Sequence, residues 1–137
     1  MSLTQTQTNR ARPFQGIDSW KQTEQGAQFL YTVDGNDPVF EGHYPGNPIL
    51  PGIYTLESIT QGIECFFEAT HSLKARLLKV SSMRFKAPLQ PGHQVTFDAK
   101  FDATIVNGES LVKVDVQRDG VKAASAKLVF LLEAENA

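Results

Sequence analysis

The sequence predicts an α+β domain in which an antiparallel sheet of about six strands wraps one long helix. Three observations lead there. A single stretch shows helical spacing of its apolar residues, the rest of the chain alternates with period two, and Asn107-Gly108 and Asp119-Gly120 mark tight hairpins between late strands. One helix against a mainly antiparallel sheet must bury its apolar face on one side of that sheet.

Taken in order, residues 1–12 are polar and read as a flexible N-terminal tail, leaving 13–137 as one domain. Two strands are expected over 14–23 and 27–33, joined by Glu24-Gln25-Gly26. Residues 40–52 form an unusual loop that holds three of the seven prolines and three of the ten glycines. Pro51 suits the first turn of a helix, where its missing N–H costs nothing. Ile53, Leu56, Ile59, Ile63 and Phe66 then recur in steps of three or four, predicting an amphipathic helix to about Ala69. Strands follow over 77–87, 95–106, 111–116 and 121–132. One edge strand is left exposed, which suits pairing with a second copy.

Composition narrows the function classes. With 41% hydrophobic residues the chain can build one core without metal or disulfide help. Its net charge of -2 does not suggest a nucleic-acid binder, and its single cysteine, Cys65, cannot form an intrachain disulfide. The start of the sequence has no apolar run of signal-peptide type, and the cytoplasm is the expected location. No metal-ligand spacing of His, Cys and carboxylate is visible, and no phosphate-cradling glycine loop.

Two groups can carry chemistry. His43 lies in the loop stiffened by Pro45, Pro48 and Pro51, and a rigidly held imidazole can act as a base near neutral pH. Gly52 opens the helix, where an unpartnered N–H and the helix dipole suit a carbonyl oxygen that gains negative charge. Glu57, Gln61, Glu64 and Glu68 form a polar stripe on the helix. By periodicity alone that stripe reads first as a solvated acidic face, and His43 as an ordinary loop histidine. Cys65, His71 and His93 read as a core residue, a helix C-terminal residue and a turn residue. Trp20 and Tyr31 fit either the core or an acyl tunnel.

The segment F-E-G-H-Y-P-G-N-P-I-L-P-G-I-Y-T-L-E-S-I-T-Q at 40–61 resembles the active-site segment of the bacterial 3-hydroxyacyl-[acyl-carrier-protein] dehydratases of the FabZ type. Gly42, His43, Tyr44, Pro45, Pro48, Pro51, Gly52, Glu57 and Gln61 fall in that family's register. M-R-F-K-A-P-L-Q-P-G-H-Q-V at 83–95 is similar to its Arg-Phe-x-x-Pro-x-x-Pro-Gly strand and turn. The resemblance covers about residues 14–132 and implies a hot-dog fold.

It also implies dehydration of a (3R)-hydroxyacyl thioester, with His43 and Glu57 as catalytic residues and Gly52, Tyr44, Pro51 and Gln61 around the substrate. The substrate rides on the phosphopantetheine of an acyl carrier protein and no further cofactor is implied. The assembly implied is a homodimer whose sites combine His and Glu from different subunits, with a trimer of dimers as a larger form. Tyr44 replaces the usual Phe, Ser58 and Thr60 replace small apolar residues, and the family's N-terminal Asp-Arg pair is not visible. Primary fatty-acid and specialised polyketide or polyene pathways therefore both stay open. Glu57 stands where the dehydratase/isomerase type has Asp, which points to dehydration without isomerisation. A hot-dog thioesterase and a non-catalytic partner subunit of a dehydratase heteromer are the alternatives.

One expectation comes from charge. No acidic residue lies between Glu68 and Asp98, whereas Lys74, Arg76, Lys79, Arg84 and Lys86 do. Such a basic segment in an acidic chain suits docking of an anionic carrier protein, against the plainer reading of ordinary strand-surface cations.

Overall fold

The computed structural model describes residues 14–37, 40, 49–102 and 107–134. The order is β1 (Ser19–Gln22), β2 (Gly26–Thr32), α1 (Gly52–His71), β3 (Leu73–Phe85), β4 (Gln94–Phe101), β5 (Glu109–Arg118) and β6 (Val121–Ala134). Among the described residues the strands form one antiparallel six-stranded sheet, ordered β1-β2-β4-β5-β6-β3. This is the hot-dog fold. The helix carries the chain from β2 to the far edge, where β3 runs; β4 then returns beside β2.

Alternation builds the core. Phe29, Phe97, Val112, Val114, Val116, Leu128 and Phe130 point from the sheet's inner face and are fully or almost fully buried. From the helix, Ile59, Ile63, Phe66 and Phe67 meet them. Gly62 lets the helix lie close against the sheet: a Cβ there would lie 2.8 Å from the Phe29 ring. Asp119 and Gly120 both take positive φ, 49° and 83°, closing the two-residue β5–β6 hairpin. Asn107 and Gly108 do so too, at 56° and 77°.

Four expectations need correction. The first strand starts at Ser19, not near residue 14, because Phe14 and Gly16 bond to the side chain of Gln61 on the helix instead of to a neighbouring strand. Pro51 is the N-cap, with ψ 145°, and Gly52 begins the helix, which runs to His71 and stops where Ser72 turns left-handed at φ 52°. The strand expected over 77–87 spans Leu73–Phe85, its alternation broken by irregular pairing between Leu77 and Lys79 and between Val80 and Ser82. Finally, Ile53 is 67% exposed, so the helix's apolar stripe is not all core. Cys65 is buried as expected. No helix among the described residues is long and apolar enough to cross a membrane.

Candidate active site

The N-terminus of α1 opens into a concavity of about 410 Å³ whose walls include Leu50, Pro51, Gly52, Thr55, Phe85 and Ala124. Among the described residues no side chain caps this helix end, and no acidic residue occupies its first turn. The Tyr54 N–H turns back to Pro51 O at 2.9 Å, whereas the Gly52 N–H, ahead of the first helical bond, has no intrahelical acceptor and lies beside a partly apolar space. The walls are pinned by backbone bonds: Leu50 N–H to Leu89 O at 2.7 Å, and Lys86 N–H to Ala123 O at 2.7 Å. Phe85 lies so close to Gly52 that a Cβ there would come 2.7 Å from its ring tip, so a glycine lets the aromatic wall close on the helix end. An electrophilic carbonyl lodged here meets a donor that strengthens as oxygen gains charge.

Glu57 is half-buried and opens elsewhere. Its depression, about 350 Å³, is shared with Ile53, Tyr54, Leu56, Thr60 and Leu77. Five residues of α-helix separate it from Gly52, which turns it about 140° around the axis. One subunit thus presents the helix terminus and the carboxyl in different concavities.

Gln61 explains how Glu57 is held. Its side chain is fully buried. Its Oε1 accepts the Gly16 N–H at 3.0 Å, which fixes the amide's orientation, and its Nε2 donates to Phe14 O at 2.9 Å. The same Nε2 lies 3.5 Å from Glu57 Oε2. The N-terminal segment, the helix interior and the carboxyl are thereby linked through one amide. The neighbouring Ser58 hydroxyl is buried without a hydrogen-bond partner, against Gly16.

The other expected residues fall as follows. His43 and Tyr44 lie outside the described residues. Lys74, Arg76, Lys79 and Arg84 project from the outer face of β3, and Arg76 pairs with Glu133 at 3.4 Å. Lys86 follows β3 and joins the wall of the Gly52 concavity. Trp20 and Tyr31 are core residues. Burial first, then the Asp37 and Asp18 carboxylates, pushes the Tyr31 phenol above its ordinary range. His93 Nδ1 accepts the Gln90 N–H at 2.9 Å, closing its turn. Among the described residues no group of three or more His, Cys, Asp or Glu side chains could hold a metal ion.

Sequence reasoning missed the buried Thr55, the Ala123–Ala124 floor and the anchoring of residues 14–16. The double alanine in a strand of larger residues was the available signal for the floor. The anchoring had none, since its partners lie 45 and 47 positions apart.

Comparison with known proteins agrees with this geometry. The chain matches the ApeI-like family, described as ApeI dehydratase, over residues 19–127. It is 30% identical over 131 residues to 3-hydroxyacyl-[acyl-carrier-protein] dehydratase FabZ of a Thermoanaerobacter species (strain X514), covering 90% of this chain and 89% of that one. The enzyme of the same name from Actinobacillus pleuropneumoniae serotype 5b is 34% identical over 96 residues, 65% of this chain and 62% of that protein, so the chain spans less than two thirds of that relative. In structure it is similar to the dehydratase heterocomplex ApeI:P of Xenorhabdus doucetiae, with a TM-score of 0.67 and 20% identity over 86% of this chain and 99% of that one. A hypothetical thioesterase from Streptococcus pneumoniae, solved with coenzyme A, shares the fold with a TM-score of 0.63 and 14% identity over 85% and 87%. On the match over residues 19–127 and the helix-wrapping sheet, the chain belongs to the ApeI dehydratase-like family of hot-dog proteins, relatives of the FabZ dehydratases.

Proposed function

We propose that two copies of this chain pair and together remove water from a (3R)-hydroxyacyl thioester carried on an acyl carrier protein, giving the trans-2-enoyl thioester. One observation carries the reading: Glu57 is half-buried, tethered to the Gln61 amide, and opens away from the concavity that holds Gly52. Each subunit then offers two half-sites, and a two-fold pairing joins the carboxyl of one to the helix terminus of the other. The exposed apolar residues Ile53, Leu78, Val80 and Phe85, on the helix start and the edge strand, support such a pairing.

In this reading His43 takes the C2 proton while the thioester oxygen, facing the Gly52 N–H, becomes enolate-like. The C3–O bond breaks, Glu57 of the other subunit supplies the proton that lets the oxygen leave as water, and the electron pair forms the C2–C3 double bond. Acid and base roles each contribute roughly 10²–10⁴ in rate, and the oxyanion donor roughly 3 kcal/mol. The Gly52 concavity receives the thioester, with Tyr44 and Pro51 beside it and Gln61 holding Glu57. Lys74, Arg76, Lys79, Arg84 and Lys86 are the proposed carrier contacts, in primary fatty-acid or polyketide and polyene synthesis alike.

The test is mass spectrometry of 3-hydroxyacyl carrier proteins incubated with the purified chain. Loss of one water with the thioester intact is expected. Release of free acid would replace this reading by a thioesterase. No reaction until a homologous chain is added would replace it by a partner-subunit role. Mixing His43→Ala with Glu57→Ala protein should restore part of the activity; no recovery after verified subunit exchange would refute the shared site.

A further inference from the structure

The outer face of the sheet, turned away from α1, carries a charge pattern that the proposed reaction does not use. Lys100 on β4 pairs with Lys113 on β5, Lys113 pairs with Lys127 on β6, and Lys127 pairs with Ser82 on β3. Directly paired residues project from the same side of a sheet. Three lysines therefore stand in one row across three adjacent strands, all exposed. Like charges placed directly opposite destabilise a sheet, so the row weakens the fold it sits on.

The neighbouring carboxylates Asp98 and Asp115, opposed to each other two residues along the same face, bond to other groups. Asp98 accepts a hydrogen bond from Gln28 Nε2 at 2.9 Å, and Asp115 pairs with Lys122 at 3.3 Å. Among the described residues no carboxylate lies within ion-pair distance of Lys100, Lys113 or Lys127. A shallow depression of about 540 Å³ lies over the row, edged by Ser81, Ser82, Ser125, Arg84 and Asp115. Four cationic side chains thus outnumber one carboxylate there, and that carboxylate is paired with Lys122, in a chain whose net charge is -2.

Geometry selects the occupant. Adjacent strands lie about 4.8 Å apart, so the three lysines span about 10 Å. An α-helix rises about 5.4 Å per turn, and side chains three or four residues apart share one face. We infer that this row docks an acidic helix of a partner protein, lying across the strands with one carboxylate over each lysine. The surface is on the opposite side of the sheet from the Gly52 concavity, so the partner docks without blocking the pocket; Arg84 at its border is also a proposed carrier contact, whereas Lys100, Lys113 and Lys127 are not.

The experiment measures fluorescence anisotropy of labelled helical peptides with the full chain at low salt. One peptide carries glutamates one turn apart on one face. A second has the same composition with glutamates scattered around the helix, and a single-stranded oligonucleotide of equal charge serves as a generic polyanion. The patterned peptide should bind at least tenfold more tightly than either control. Lys113→Glu should lower its affinity at least tenfold while leaving thermal stability unchanged or raised, because it places a carboxylate between two lysines. Equal binding of the two peptides, tighter binding of the oligonucleotide, or no change with Lys113→Glu at an undiminished melting temperature would each overturn the inference. If Lys113→Glu does not fold, Lys100→Gln together with Lys127→Gln tests the same row, and there an unchanged affinity overturns it.

Discussion

Replacing Gln61 by alanine removes the amide that joins the N-terminal segment to the helix, and its cost can be worked from the contacts. Two buried backbone groups, the Gly16 N–H and the Phe14 carbonyl, lose their partners. Each such loss costs about 1–3 kcal/mol. One buried methylene, Cγ, is also removed, at about 0.8 kcal/mol. Freeing the glutamine from its single rotamer offsets about 1.5–2 kcal/mol. The net destabilisation is about 3 kcal/mol. Unfolding entropy of about 2.1 cal/mol/K per residue gives a chain of 137 residues a slope near 0.3 kcal/mol per degree, so the melting temperature should fall by about 10 °C. Circular-dichroism melts at one fixed protein concentration read this directly, and hydrogen exchange should show the Gly16 amide losing protection in the same variant. A fall of less than about 3 °C with that amide still protected would refute the linkage, since the two backbone groups would then have other partners.

Other expectations follow from the same geometry. Gly16→Ala should destabilise by about 1–3 kcal/mol, because its Cβ would collide with the Ser58 oxygen inside a buried contact; denaturant titration checks this. Gly52→Ala should leave the melting temperature within a few degrees, since the Phe85 ring it meets is 53% exposed and can swing away, while the proposed dehydration slows; Phe85→Ala added to it should change stability little further. Val80→Glu, on the exposed edge strand, should convert a dimer to monomer in light scattering without loss of helix content. Phe97→Ala, fully buried in β4, should cost about 3–5 kcal/mol in equilibrium unfolding.

Much of this was legible in the sequence where the information is local. The alternation of Val95, Phe97 and Ala99 gave β4 its inner face, and Asp119-Gly120 gave the β5–β6 turn, because side-chain period and positive φ are properties of a few consecutive residues. The Pro51-Gly52 pair marked the helix start to within one residue. Gln61 was opaque for the opposite reason. It sits at a polar-stripe position, and its burial depends on Phe14 and Gly16, which the chain brings back from far away in sequence. Ile53 misled because helical spacing reports an apolar face without saying whether the same subunit covers it. Lys74 to Lys86 were visible as a basic run, but the opposed lysines on β4, β5 and β6 emerge only once register is known. His43 carries the chemical expectation and lies outside the described residues.

The two margins of the sheet differ greatly in length: β1 has 4 residues, whereas β3 has 13. A ribbon with one generous border and one stub can grow in a single direction only. When two such ribbons join border to border in antiparallel sense, that growth uses up the capacity for more and leaves a stub at either end. The construction therefore favours a finite object over a fibre.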